Sequence, residues 1–388
     1  MKYSIIVPVF NRPDEVDELL QSLTTQQFKD FEVIIVEDGS TTSCKDVCDK
    51  YADILPLHYY YKENSGPGRS RNYGAERAKG EWLIILDSDV VLPEEYLTAV
   101  ERSLTPRSAE GSLQGKNPSP TGEESGFSQG TKRSFPLAAF GGPDASHPSF
   151  TPVQKAISYS MTSFFTTGGI RGGKAGKKPE GTTASSSSET KGALDKFYPR
   201  SFNMGIRRDV YMQLGGFSKM RFGEDVDFSY RIVEAGYHTQ LFPEAWVWHK
   251  RRTDFRKFFR QVYNSGIARI NLEKRHPGTL KLVHLLPTIF TIGVLGCCLL
   301  CLLFAVLASL SIVNYLWAIL FLSPLLLYSL LLCIDSSRQN KSVKVGILSI
   351  PAAFVQLMGY GFGFIESWWK RCVLKQDEFT AFEHNFYK

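Results

Sequence analysis

The chain opens on a short apolar, β-branched run, Ser4 to Phe10, closed by Asn11, Arg12 and Pro13 and followed by Val16, Leu19, Leu20 and Leu23 at helical spacing. This predicts strand, loop and helix, and the unit repeats. Phe31 to Val36, Leu57 to Tyr61 and Trp82 to Leu86 read as strands, and Lys45 to Tyr51 and Arg69 to Lys79 as helices. Apolar strands alternating with helices predict an α/β fold with a mostly parallel sheet covered on both faces, which binds ligands outside the carboxyl ends of its strands. A helix at Pro93 to Leu104 ends the pattern. Segments 107–133 and 174–192 are poor in apolar residues and read as mobile insertions, bracketing an amphipathic helix through Ile157, Met161, Phe164 and Phe165. Patterning resumes at Phe202, with a helix at Asp225 to Ala235 and a strand at Ala245 to Trp248.

Beyond Lys281 the pattern changes character. Leu282 to Ile334 is 53 residues without Asp, Glu, Lys or Arg. As helix this runs roughly 80 Å, enough to cross a ~30 Å hydrocarbon layer twice with a turn. Val345 to Ile365 is uncharged as well, but Pro351, Gly359, Gly361 and Gly363 favour a re-entrant or in-plane segment over a third crossing. The apolar run at the N-terminus is too short for an export signal, so residues 1–249 are expected on the cytoplasmic side of an inner or cytoplasmic membrane. Arg338, Lys341 and Lys344 obey the positive-inside rule for that placement.

Charge sharpens this picture only locally. The 388 residues carry 45 Lys and Arg against 39 Asp and Glu, and ten of those cations against two acids fall between Lys250 and Lys281. There Arg256, Lys257 and Arg260 alternate with Phe255, Phe258, Phe259 and Val262, the pattern of a helix lying in the headgroup plane. A basic cluster that ends at a membrane, with no recognition motif, argues against nucleic-acid binding. The seven cysteines show no paired metal-binding spacing and fit incidental thiols. The expected organisation is a catalytic unit at 1–249, an interfacial segment at 250–281, a membrane region at 282–375 and a tail at 376–388.

Candidate chemistry sits where the strands end. Asp87 and Asp89, one residue apart after WLIIL, offer oxygens to a hard divalent cation such as Mg²⁺ or Mn²⁺, although an acidic triplet there is also an ordinary solvated turn. Glu37 and Asp38 close the second strand, where Asp38 is placed to accept from a nucleobase or to cap a turn. Arg69 and Arg71 lie on a glycine-rich helix start suited to anionic oxygens, without the G-x-G-x-x-G spacing of dinucleotide binders. Glu224 and Asp225 open a later helix, where acids also favour the macrodipole.

In order, SIIVPVFNRPD, VEDGS, GRSRNYGAERAKG, WLIILDSD and FGEDVDFSYRIVEAG resemble the family 2 inverting glycosyltransferases of the GT-A fold, over residues 1 to about 249. The resemblance implies a GT-A, Rossmann-like sheet and a nucleotide-diphosphate-sugar donor. It assigns nucleotide contacts to Asp38, Arg71 and Asp87, divalent-metal carboxylates to Asp87 and Asp89, a third metal ligand to His249, and the catalytic base to Asp225. The Q-x-x-R-W motif of the processive synthases is absent, since Gln261 is followed by Val262, Tyr263, Asn264 and Ser265. Transfer of one sugar to a hydroxyl of a lipid-linked or glycan acceptor is therefore expected, as in cell-envelope glycan synthesis. A polyprenyl-phosphate acceptor and a non-catalytic membrane scaffold are the alternatives.

Overall fold

A computed structural model of the chain describes residues 1–105, 137–167, 182–183, 197–220, 222–312 and 314–382. The expected insertion at 107–133 lies outside these residues, as does 174–192 apart from Thr182–Thr183.

The first half builds β1 (Tyr3–Val9), α1 (Pro13–Thr24), β2 (Phe31–Asp38), α2 (Lys45–Tyr51), β3 (Leu57–Lys62), α3 (Pro67–Arg77), β4 (Trp82–Leu86), β5 (Val90–Val91) and α4 (Tyr96–Leu104). There follow β6 (Leu137–Gly141), β7 (Asp144–Ala145), α5 (Pro152–Thr162), α6 (Phe164–Thr167), β8 (Thr182–Thr183), β9 (Asn203–Arg207), α7 (Arg208–Gln213), α8 (Glu224–Glu234), β10 (His238–Leu241) and β11 (Val247–His249). The main sheet has the order β10-β6-β9-β4-β1-β2-β3, and its interior antiparallel strand, β9, runs against both β4 and β6. This mixed, mostly parallel sheet with flanking helices is the GT-A-like arrangement expected from the motifs.

Alternation along each strand explains the two-sided core. Ile5, Val33, Ile35 and Ile84 face one apolar layer with Val16, Leu19, Leu20 and Leu97, whereas Ile6, Ile34, Val36 and Ile85 face another with Ile206, Phe228 and Ile232. Both sets are buried, so the strands read as continuous apolar runs. A second, smaller sheet of order β5-β11-β7-β8 stands beside the main one and ties the 87–91 turn to the chain at 247–249.

After β11 come α9 (Phe255–Arg275), α10 (Leu286–Ser309), α11 (Leu316–Asn340) and α12 (Val343–Trp368). Leu282–Ser309, Leu316–Asn340 and Val343–Val373 are long and apolar enough to cross a membrane. The third differs from the expectation in one respect, because α12 runs unbroken through Pro351. Glycines on both helices serve close approach: a Cβ at Gly363 of α12 would collide with the Tyr263 carbonyl, and one at Gly266 of α9 with that of Tyr360. Ser367 Oγ donates to Ile267 O at 3.1 Å and Arg371 Nε to Asn271 Oδ1 at 2.7 Å, so α9 and α12 run side by side in the same direction.

Candidate active site

Parallel register brings the ends of β1, β2 and β4 to one edge, which places Asn11, Arg12, Asp38, Asp87 and Asp89 together. Because β9 runs the other way, its first residue, Asn203, opposes Leu86 at the same edge. Asn203 accepts from Tyr96 Oη at 2.6 Å and donates to Ala245 O at 2.8 Å, fixing the approach of the chain toward β11. Lys250 N donates to Asp89 O at 3.0 Å, and His249 is thereby held over the Asp87–Asp89 turn.

Asp87, Asp89 and His249 each offer a ligand atom, all within 4.8 Å of one another. Asp89 Oδ1 lies 3.3 Å from His249 Nε2, yet it is buried and takes part in no hydrogen bond of acceptable geometry. An orphaned buried carboxylate oxygen beside an imidazole is a donor set that suits a divalent cation. The surroundings are cationic: Arg12 reaches Asp89 Oδ2 at 2.6 Å, Arg252 reaches it at 3.8 Å, and Arg251 reaches Asp144 at 2.7 Å. Burial opposes ionisation of Asp89, but His249, Arg12 and Arg252 outweigh it and hold the carboxyl far below the usual range. Burial likewise opposes protonation of His249, and Asp89 overrides it, raising the imidazole to about 9. Sequence reading passed over Arg12, Asp144 and Arg252. Arg12 also follows a strand at the same edge, so the rule that found Asp87 would have found it.

The expected nucleotide residues take different positions. Asp38 is buried, and its carboxylate accepts from Ser65 N at 2.9 Å and Gly66 N at 2.8 Å and contacts Lys62, fixing the loop that opens α3. Arg71 is fully enclosed. Its Nη2 meets Asp87 Oδ1 at 2.8 Å and its Nη1 meets Glu224 Oε1 at 2.9 Å, so one guanidinium joins the β4 turn to the start of α8. Its terminal nitrogens both meet carboxylates. Burial raises Glu224 to about 6 despite that partner.

At the start of α8, Gly223 takes φ +77 and a Cβ there would press on Ala268 of α9, so glycine suits both the turn and the contact. Of the three acids in this first turn, Glu224 and Asp227 keep 12% and 3% of their side chains exposed, and Asp225 keeps 18%. Asp225 pairs with Arg200 Nε at 3.2 Å. It is the most accessible carboxylate of the turn, next in sequence to the residue that Arg71 ties to Asp87.

Glycosyl transferase family 2 matches residues 4–108, and glycosyl transferase family group 2 matches residues 202–332. A 101-residue stretch is 39% identical to the poly(ribitol-phosphate) beta-N-acetylglucosaminyltransferase TarS of Staphylococcus aureus strain Mu50, covering 25% of this chain and 18% of that protein. Another of 104 residues is 29% identical to the glycosyltransferase GlyA of Streptococcus pneumoniae serotype 4, covering 26% of this chain and 15% of that one. The chain thus spans less than a fifth of the length of either relative. Among solved structures, the mannosyltransferase PcManGT from Pyrobaculum calidifontis, in complex with GDP-Man and Mn²⁺, is 14% identical with a TM-score of 0.47, over 92% of this chain and 87% of that one. Staphylococcus aureus TarS 1–349 in complex with UDP-GlcNAc is 18% identical with a TM-score of 0.42, over 70% and 67%. The motifs and the two family matches agree: residues 4–108 and 202–332 carry glycosyl transferase family 2 and family group 2 sequence, and these stretches hold Asp38, Arg71, Asp87, Asp89, Glu224, Asp225 and His249.

Proposed function

We propose that the chain is a membrane-anchored, inverting glycosyltransferase that moves one sugar from a nucleotide-diphosphate sugar to a hydroxyl of a lipid-linked acceptor at the cytoplasmic face. The observation that carries this reading is the pairing of two acidic centres through Arg71: Asp87, with Asp89 and His249, on one side, and the Glu224–Asp225 turn on the other. Inverting transfer is a single displacement. The acceptor oxygen bonds to the anomeric carbon, its proton passes to a base, and the nucleotide diphosphate leaves with the bonding electrons. Asp225 takes the proton in this reading, and Arg200, 3.2 Å away, orients it. Arg12 and Arg252 gather positive charge beside the leaving group. A divalent cation held by Asp87, Asp89 and His249 would supply further charge neutralisation for the diphosphate. Asp38 shapes the nucleotide end through the α3 loop, and Arg71 acts through the two carboxylates that it aligns.

The test is nucleotide release from a panel of nucleotide sugars, using the full chain in membranes with and without divalent cation. Asp225→Asn should lower kcat by about 10² to 10⁴ while donor KM stays near that of the wild type. A second reading, transfer to a lipid phosphate, draws on the arginines around Asp89 and Asp144. A phosphate acceptor has no proton to lose, so an Asp225→Asn variant of undiminished rate, with a labelled product of sugar-phosphate-lipid mass, selects that reading.

A further inference from the structure

Outside the site, α5–α6 has an unexpected location. It belongs in sequence to the catalytic half, yet it packs on the membrane helices: Ala156 meets Val345 and Ala352, and Tyr159 meets Leu332 and Ala353. Two hydrogen bonds fix its depth. Tyr159 Oη donates to Asp335 Oδ2 at 2.6 Å, and Tyr328 Oη donates to Phe165 O at 3.0 Å. Asp335 begins the polar end of α11, and Tyr328 lies seven residues further into its apolar stretch, roughly 10 Å along the helix axis. Following α11 inward, α5–α6 therefore descends past the plane marked by Asp335.

The chemistry of the segment fits that depth. Ala156 to Thr167 contains no charged residue, and at its inner end Phe164 and Phe165 are 72% and 41% exposed. Three of its hydroxyls turn back on its own backbone: Ser160 Oγ donates to Ile157 O at 2.8 Å, Thr162 Oγ1 to Ser158 O at 3.0 Å, and Thr167 Oγ1 to Ser163 O at 3.0 Å. Ser309, Ser323 and Ser329 in α10 and α11 do the same, each at 2.7 or 2.8 Å. Hydroxyls satisfied within the segment are compatible with hydrocarbon, and it is the absence of charge with the exposed phenylalanines at Tyr328 depth that points there.

We propose that α5–α6 is a membrane-embedded element of the catalytic half, with Phe164 and Phe165 seated among lipid acyl chains. The site rests on this element. Gln154 Nε2 donates to Arg251 O at 3.0 Å, and Ser158 shares a 2.8 Å hydrogen bond with Ser146 beside Asp144. The rim that carries Asp144 and Arg251 is thereby referenced to the bilayer surface. The proposal rests on α10 and α11 crossing the membrane, and it is independent of the acceptor.

The full chain, in vesicles of phosphatidylethanolamine and phosphatidylglycerol that carry a photoactivatable diazirine on one acyl chain, is irradiated, and lipid adducts are mapped by mass spectrometry. We expect adducts on 316–334 and on Phe164 or Phe165, with none at Tyr61, which is 57% exposed on β3. Replacing both phenylalanines, Phe164→Asp and Phe165→Asp, should reduce adducts on 156–167 several-fold and leave those on 316–334. Labelling of 316–334 without 156–167 overturns the proposal, whether water or a second copy of the chain covers the phenylalanines. Absence of adducts on both stretches overturns the membrane reading itself.

Discussion

Asp89 carries the largest share of the site's electrostatics, because one buried carboxylate meets Arg12, His249 and Arg252 together. Removing it strands two guanidinium groups and deletes a metal oxygen, so Asp89→Ala should abolish turnover and divalent-dependent nucleotide binding. Activity measured before and after chelation checks this, and an unchanged wild-type rate without metal would sink it. Glu224 makes a different, pH-dependent statement. Its carboxyl is raised from the ordinary 4.5 to about 6 by burial, so between those values the native chain stays protonated where the unfolded chain ionises. Stability is therefore fully present below about pH 4.5 and declines by about 2 kcal/mol as pH rises through 6. Glu224→Gln lacks this loss, and its melting temperature relative to wild type should climb between pH 4.5 and 7. A flat difference across that range would remove Glu224 from the account.

Among the elements, α8 and α9 are joined by a hydrogen-bonded latch. His276 Nε2 lies 3.0 Å from Asp227 and its Nδ1 lies 2.8 Å from Glu234, while Arg231 holds the other oxygen of Asp227 at 3.1 Å. Asp227 is two residues from Asp225 on the same helix, so the latch positions the proposed base. His276→Ala should cost about 1–3 kcal/mol by leaving Asp227 short of a partner, and should lower kcat with donor KM unchanged. Thermal unfolding and steady-state kinetics read the two effects separately, and His276→Asn should restore part of both. Element by element, the strands with continuous Val and Ile runs were legible, as were α1, α2, α8 and the basic amphipathic α9. β6 and β10 were among the strands that were not. Leu137–Gly141 has no β-branched residue, and His238–Leu241 is four residues long with three of them polar, so neither carries a periodic signal; each is defined by its partners in the sheet. The carboxylates of the site were legible because strand ends are marked by composition. The partners that Arg71 and Asp227 take lie 153 and 49 residues away, a juxtaposition that only tertiary packing creates.

For the molecule as a whole, the helices at its C-terminal end define a topology. α10 and α11 form an apolar pair, with Phe304 against Phe321 at 5.0 Å between ring centroids. α12 touches that pair along Ser336, Leu332 and Tyr328 and then near Thr291, all toward one end of the hairpin. Its other side lies along α9, from Phe258 and Val262 near Val355 to Asn271 beside Arg371. Were α12 to cross the bilayer, α9 would go with it, and Arg256, Lys257 and Arg260 would each be drawn toward hydrocarbon at about 2.5–3.5 kcal/mol. Lying in the headgroup plane, α12 can keep its apolar side on the hairpin and its glycine side on α9 with no such penalty. Its 26 residues have the length to span, but the neighbour packed along it does not have the composition. We therefore expect two crossings, with the C-terminus on the same side as residues 1–249. A reporter active only in the cytoplasm, fused after Lys388, should give signal at the level of the same reporter fused before Met1. Signal from an externally active reporter at Lys388, with none at Met1, would mean that α12 crosses and that α9 parts from it in the membrane.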